Sequence, residues 1–397
     1  MEEFEKYYRD TAKNDNVEKL PEMPELPEKK RGNLDLPLLL LVVVLLTVGV
    51  IMVLSASFAR AYYEGNNPTY IFTRQLIFAV SGVGIMIIVS RIRVNVFRRW
   101  SMMLLFVSVI MLAMVLIIGI VGGGSRRWIN LGFTTFQPSE VAKLAAILAY
   151  ATMICKTPKK LMKKFRHGIL PFGMVAAVIV GLLVLEPHLS ASVIIIGITG
   201  IMIIAGGASL KQIGGLVLVV VIFGALAILI LPYAQDRVTA WLHPENDPLD
   251  SGFQVLQSLY AIGSGGLLGV GLGQSRQKYM YLPEEHNDYI FPIICEELGF
   301  IGAMLILMLF AMLIIRCFWI ALHAKTKYGS LISTGIAGLL AMQVFLNVAV
   351  VTNLIPSTGI SLPFFSYGGT ALWIQMIEMG IVLSVSRDIP LKAEDEK

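Results

Sequence analysis

The run Leu36-Pro37-Leu38-Leu39-Leu40-Leu41-Val42-Val43-Val44-Leu45-Leu46-Thr47-Val48-Gly49-Val50-Ile51-Met52-Val53-Leu54 carries no charge. A hydrocarbon layer about 30 Å thick is crossed by about 20 such residues of helix, and inside it every backbone amide must bond within its own segment. Comparable runs follow, and the candidate spans are 34–57, 71–90, 101–121, 138–155, 168–185, 188–206, 210–232, 289–316, 329–354 and 365–386. The composition agrees: 56% of residues are hydrophobic, 15% are charged, and the mean hydropathy is +0.74. The fold class expected is an all-α integral membrane protein of about ten transmembrane helices. A large outer loop, 233–288, lies between helices 7 and 8.

The net charge of +5 comes from basic residues that sit in alternate loops, which argues against a nucleic-acid partner. Arg91, Arg93, Arg98 and Arg99 share one loop. Lys156, Lys159, Lys160, Lys163, Lys164 and Arg166 share another; Lys211, Lys325 and Lys327 mark two more. These loops and Lys29 to Arg31 fall on one side, which the positive-inside rule assigns to the cytoplasm, with both termini there. Residues 1–33 are polar and rich in Glu, Lys and Pro, and read as a disordered tail. The membrane domain then runs over 34–390, with a short cytoplasmic tail at 391–397. The first apolar run is too long for a cleaved signal peptide and reads as an anchor. Cys155, Cys295 and Cys317 lie in or at the ends of apolar segments without CxxC spacing, so neither a disulfide nor a metal is implied.

Polar residues crowd toward the outer face. The loop 122–137 contains Arg126-Arg127-Trp128 and leads through Gln137-Pro138-Ser139-Glu140 to Lys143, with Ser139 read as a helix N-cap. Glu140 and Lys143, three apart, share a helical face, and the plain alternative for them is a structural ion pair. Two adjacent arginines on the side that normally lacks them point to an anionic ligand, since guanidinium matches phosphate in bidentate fashion. Asp288 stands just before the eighth span, after Glu284, Glu285, His286 and Asn287. A carboxylate there is either an ordinary cap or a partly desolvated general base. Glu296 and Glu297 follow about two turns into the helix, a depth at which acids face a polar cavity or a partner.

Glu186-Pro187-His188 reads as a tight turn, and Glu378 as a satisfied buried contact. The segment Pro356 to Gly369 carries breakers and hydroxyls, Ser366 and Tyr367 among them, and suits a cavity lining. The loop 233–288 holds the glycine cluster Gly263 to Gly273 and then Gln274-Ser275-Arg276-Gln277-Lys278. No phosphate-binding loop or Gly-x-Gly-x-x-Gly pattern occurs, so nucleotide use is unsupported.

In order along the chain, these motifs resemble the SEDS proteins of bacterial envelope growth, whose members include FtsW, RodA and the spore-cortex protein. The resemblance rests on Arg126 to Ile129, Gln137 to Glu140 with Lys143, Gln257 to Gly266 and Gly273 to Lys278. It continues through Leu282 to Glu284, His286 to Phe291, Glu296 to Gly299 and Pro356 to Gly369. The Ser-Arg-Gln-Lys stretch is most like the FtsW division and sporulation branch. His188 departs from the acid that many members carry after the proline.

The resemblance implies a peptidoglycan glycosyltransferase that polymerises lipid II at the outer face of the cytoplasmic membrane. Its implied partners are a class B penicillin-binding protein and other division proteins. The α-linked donor and β-linked product imply one inverting displacement. The roles expected on this basis are Asp288 as base, and Arg127, with Arg126 or Lys143, on the pyrophosphate. Trp128 would pack on sugar or lipid, and Glu140 would orient Lys143. Gln137, Glu186, Lys278, Glu296, Ser366 and Tyr367 complete the expected substrate contacts. A divalent cation, magnesium or manganese, is compatible with phosphate chemistry. The rival readings are a transporter that flips the lipid-linked sugar and a non-catalytic scaffold that activates the transpeptidase.

Overall fold

The computed structural model describes residues 32–389 apart from 66, 123–124, 131, 133, 210, 213, 216–217, 219–223, 226–228, 231 and 247–251. The tails expected at 1–33 and 391–397, save positions 32 and 33, and much of the span expected at 210–232 lie outside the described residues.

The labelled helices are α1 Leu36–Tyr63, α2 Tyr70–Arg91, α3 Val94–Ile118, α4 Pro138–Lys156, α5 Leu170–Leu185, α6 Leu189–Ala205, α7 Pro232–Leu242, α8 Phe253–Ser264, α9 Ile290–His323, α10 Lys327–Val351 and α11 Gly369–Ser386. Among the described residues, α1, α2, α3, α4, α9, α10 and α11 are long and apolar enough to cross a membrane, and α5 and α6 are shorter apolar helices. The protein is a multi-pass membrane protein. Nine of the expected spans therefore appear as helices with limits within seven residues of those expected, the largest differences lying at the start of α3, which takes in Arg98 and Arg99, and the end of α9.

Local chemistry sets the helix ends. Asp35 caps α1 by accepting the Leu38 amide at 2.9 Å, with Pro37 in the first turn, where a missing N–H costs nothing. Its carboxylate also takes a bidentate contact from Arg316 of α9, at 2.6 and 3.0 Å. Thr326 caps α10 through the Gly329 amide. At α4 the N-cap is Gln137 with Pro138 in the first turn, so Ser139 lies inside the helix instead of capping it. Proline, with no N–H to satisfy, takes the first helical position. Helix α4 is the central helix: residues 142–152 are all buried, and its alanines, Ala142, Ala145, Ala146, Ala149 and Ala151, let neighbours approach closely.

Two segments read as loops contain regular structure. A three-stranded antiparallel sheet is formed by β1 Ile120–Gly122, β2 Ser125–Asn130 and β3 Thr135–Phe136, with Trp128 opposite Ile120 and Ile129 opposite Phe136. The segment 233–288 holds α7 and α8 and then a glycine-rich arm that plugs a break in α9. Gly299 has φ +68° and ψ −173°, so the helix is interrupted roughly 14 Å along its axis from Ile290. The backbone groups freed there find partners in the arm. The Val270 and Gly271 amides donate to the Glu296 and Glu297 carbonyls at 2.9 and 3.0 Å, and the Phe300 and Ile301 amides donate to Gly266 and Leu267 at 2.9 and 3.1 Å.

Glycine is required on both sides of this junction. A Cβ on Gly269 would stand 2.2 Å from the Glu297 carbonyl oxygen, and one on Gly299 would stand 2.2 Å from the Gly269 nitrogen. Gly269→Ala is therefore expected to lower unfolding free energy in detergent by about 3 kcal/mol or more. Gly263→Ala, where nothing lies within 4 Å, is expected to leave it unchanged within about 1 kcal/mol. Thermal unfolding of the two variants compares them directly.

Candidate active site

A cavity of about 610 Å³ opens among β2, β3 and the starts of α4, α6 and α11, with the Pro283–Tyr289 turn and the segment before α11 closing it. Sequence order scatters these walls, and three helix starts bring them together. The N-caps of α4, α6 and α11 are Gln137, His188 and Gly368, and none makes a side-chain capping bond. First-turn residues of all three helices line the cavity. Uncapped amides and the positive ends of three helix dipoles thus face one space, which favours an anion.

Cationic side chains reinforce that field. Arg74, Arg127, Lys143 and Arg237 line the cavity. Arg127 is half-buried on β2; its Nη2 donates to the Pro187 carbonyl at 2.6 Å, while its Nε is buried with no protein partner. Lys143 pairs with Glu140 at 2.7 Å, and both side chains are buried. Breaking such a pair by removing one partner strands a buried charge.

Asp288 lines the same cavity. The helix that follows has Tyr289 at its N-cap with no side-chain cap bond, so the capping alternative does not account for the carboxylate. Burial pushes its pKa up from the usual carboxylate range to about 7, with the charge of Glu284 adding to the rise. Its backbone carbonyl accepts from Asn347 of α10 at 2.8 Å, and the same Asn347 amide donates to Ile360 at 2.7 Å. Gly359, at φ +66°, passes over the carboxylate so closely that a Cβ there would stand 3.1 Å from Oδ2.

Of the residues singled out in the sequence, Asp288, Arg127, Trp128, Gln137, Glu140, Lys143, Ser366 and Tyr367 share this cavity. Arg126 is exposed and outside it. Glu186 is buried beneath Arg127; burial raises its pKa to about 7 against the pull of that arginine. Lys278 and Glu296 lie elsewhere, in the junction of the arm with α9. Lys278 Nζ bonds Glu297 at 3.0 Å, the Gly273 carbonyl at 2.6 Å and Ser55 at 3.2 Å. Glu296 accepts the Arg276 amide at 2.9 Å and the Ser275 hydroxyl at 2.5 Å. These polar groups satisfy one another, so they brace the arm and do not line the cavity.

His188, read in the sequence as part of a tight turn and as a departure from the family pattern, lines the cavity within reach of the charges of Arg127 and Lys143. Burial and those two charges lower its pKa to about 3, leaving a neutral imidazole. Arg74, Arg237, Gln343 and Asn347 were not singled out, each being one polar residue with no local pattern to mark it, and Gly359 was read only as one breaker within the Pro356 to Gly369 segment.

The raised pKa of Asp288 gives a stability prediction independent of any substrate. Between its ordinary value of 3.8 and about 7, the folded protein keeps a proton that the unfolded chain releases, so the group costs stability increasingly as pH rises through this window. Asp288→Asn is expected to raise the unfolding temperature at about pH 8 and to gain less as pH falls toward about 5. Calorimetry in detergent across that range measures it; equal shifts at both pH values would contradict the assignment.

The family model described as a cell cycle protein, covering FtsW, RodA and SpoVE, matches residues 36–389. Stage V sporulation protein E of Bacillus subtilis is 43% identical over 361 residues, spanning 90% of this chain and 98% of that protein. A probable peptidoglycan glycosyltransferase FtsW of Trichlorobacter lovleyi is 41% identical over 368 residues, spanning 91% and 96%. Among solved structures, a chain of a peptidoglycan synthase complex that coordinates polymerization and crosslinking superposes with a TM-score of 0.75 at 28% identity, covering 89% of this chain and 98% of that one. The rod shape determining protein RodA of Thermus thermophilus gives 0.66 at 26% identity, covering 90% and 98%.

Proposed function

The chain belongs to the FtsW, RodA and SpoVE family of cell cycle proteins, and from that membership we propose that it is a peptidoglycan glycosyltransferase that polymerises lipid II in division or sporulation. The observation that carries the reading is the presence within one cavity of a carboxylate of raised pKa, Asp288, together with the cationic side chains Arg74, Arg127, Lys143 and Arg237.

The chemistry needs both. In lipid II the donor sugar is α-linked to a polyprenyl pyrophosphate, and the product link is β, so a single in-line displacement inverts the carbon without an enzyme nucleophile. The acceptor hydroxyl must lose a proton as it attacks, and Asp288 takes it; a base with pKa about 7 combines basicity with availability at neutral pH. The departing pyrophosphate gains charge, and Arg127, Lys143 and the amide-lined starts of α4, α6 and α11 stabilise it. Glu140 holds Lys143 in place, and Trp128 packs on sugar or lipid.

Among the described residues, no group of three or more His, Cys, Asp or Glu is built to hold a metal by protein ligands alone. Magnesium or manganese, which take oxygen ligands, would be held there chiefly by the substrate phosphates. Such an ion would neutralise pyrophosphate charge.

The cavity faces the outer side of the cytoplasmic membrane, and both termini face inward, in keeping with the alternation of basic loops. The partners are a class B penicillin-binding protein and other division proteins, in keeping with the resemblance to a chain of a peptidoglycan synthase complex. A transporter would need polar groups at mid-span reachable from both faces, whereas Lys278, Glu296 and Glu297 are tied to one another and to the arm.

Purified protein supplied with lipid II in detergent is expected to lengthen glycan chains. Asp288→Asn is expected to lose about 100-fold or more of the rate with its fold retained. Lipid scrambling in vesicles without polymerisation would overturn the reading. The wild-type rate is expected to rise with pH and reach half its plateau near 7, because only the deprotonated Asp288 accepts the proton. A rate flat across about pH 5.5 to 8.5 would remove Asp288 as the base.

A further inference from the structure

The turn that carries Asp288 is held partly by its own bonds and partly by neighbouring helices. Glu284 adopts φ +56°, a left-handed conformation that costs a non-glycine residue on the order of 1 kcal/mol and persists only when surrounding contacts impose it. Within the turn, the Asn287 and Tyr289 amides both return to the Glu284 carbonyl, at 3.0 and 3.3 Å. The Asn287 side-chain amide also donates to the Glu284 carboxylate, His286 Nδ1 lies 3.7 Å from Glu285 Oε1, and the other fasteners come from outside. Gln254 of α8 donates to the Pro283 carbonyl at 3.4 Å, the Tyr367 amide donates to the His286 carbonyl at 2.8 Å, and Asn347 of α10 donates to the Asp288 carbonyl.

The remaining fastener is ionic and comes from α1. Arg60 Nε and Nη2 donate to Glu285 Oε1 and Oε2 at 2.8 and 3.0 Å, a side-by-side fork. The Glu285 side chain is fully buried (0% exposed) and that of Arg60 is 23% exposed. Burial works to raise the pKa of Glu285, yet the neighbouring His286 and Arg60 hold it below the usual carboxylate range. The carboxylate is therefore ionised and committed to its partner. Glu285 does not line the cavity, although Glu284, Asn287 and Asp288 on the same turn do. Ser55, five positions earlier on α1, bonds Glu297 at 2.6 Å, so α1 grips both α9 and the turn that leads into it.

We propose that the Arg60–Glu285 pair is a latch between α1 and the 283–289 turn that positions Asp288 for proton removal, so that it governs the chemical step and not substrate capture. Neither residue touches the cavity; both are positioning residues. The inference rests on Asp288 being the base. Losing the fork frees a buried carboxylate, which moves to find water or another partner, and Asp288 three residues on moves with it. A displacement of about 1 Å at a reacting group is enough to cost on the order of 100-fold in rate.

The experiment measures steady-state polymerisation of lipid II and thermal unfolding for wild type, Asp288→Asn, Arg60→Met, Arg60→Lys and the double variant Arg60→Met with Glu285→Gln. Arg60→Met is expected to lose about 10- to 100-fold in kcat with KM within about twofold. Arg60→Lys, which keeps the charge without the fork, is expected to fall between it and wild type. The double variant, with no stranded charge, is expected to regain wild-type unfolding temperature and stay slow. Should Arg60→Met fail to fold, the lysine and double variants decide. Hydrogen exchange in Arg60→Lys is expected to quicken at 283–289 and not in α4.

Wild-type kcat in the double variant, or a loss confined to KM in either single variant, would overturn the latch. Failure of the wild type to polymerise, or full activity in Asp288→Asn, would instead overturn the underlying assignment of function and base.

Discussion

The structure depends on a broken helix that must be made whole where water is scarce. Gly299 interrupts α9 and frees two carbonyls and two amides well inside the bundle. An unpaired backbone group at that depth costs several kcal/mol. The glycine-rich arm 265–271 supplies all four partners, which it can do only because Gly269 and Gly299 leave room for two backbones to touch. Charged and hydroxyl side chains then lock the joint: Lys278 and Ser55 on Glu297, and Ser275 with the Arg276 amide on Glu296. The arm returns from this joint straight into the turn bearing Asp288, so the location of the carboxylate is a consequence of how the break was repaired.

Around that fixed acid the bundle adds the potential of helix starts to that of the cationic side chains lining the cavity. Three helices start at the cavity with no side-chain caps, and an uncapped start carries about half a unit of positive charge. Two cationic side chains of the same cavity, Arg127 and Lys143, are each held by a specific protein contact, the Pro187 carbonyl and the Glu140 carboxylate. Preorganised donors of this kind need no rearrangement when charge develops on a leaving group. His188, within reach of their charges, stays neutral, so it neither repels the cations nor cancels them. The acid and the cations thus line a single space, which suits a reaction in which one end of the substrate pair sheds a proton and the other sheds an anion.

Much of this was legible in the sequence, and the limits are physical. Apolar runs such as Leu36 to Leu54 fix helices by length alone. Asp288, Arg127 and Lys143 were recognisable because charge near lipid is costly and needs a reason. The sheet over 120–136 escaped notice because its strands are short and interrupted by glycines, leaving little alternation to read. Glu296 was expected at the substrate from its depth in the helix, and Lys278 from the resemblance. Periodicity gives depth but not partner, and nothing local said that the arm would fold back onto α9. Asn347 and Arg60 each look like one polar residue on an apolar helix until the fold places the 283–289 turn beside them. Gly359 gains its meaning only from the carboxylate beneath it.

The central claim is that acceptor and donor meet between Asp288 and the cations of the same cavity. A structure of the protein with a non-transferable lipid II analogue and an acceptor glycan tests it most directly. The account places the acceptor hydroxyl within about 3.2 Å of the Asp288 carboxylate and the pyrophosphate on Arg127, Lys143 and the starts of α4, α6 and α11. Pyrophosphate bound outside the cavity, or an acceptor hydroxyl facing the Glu140–Lys143 pair with Asp288 remote from both sugars, would contradict it.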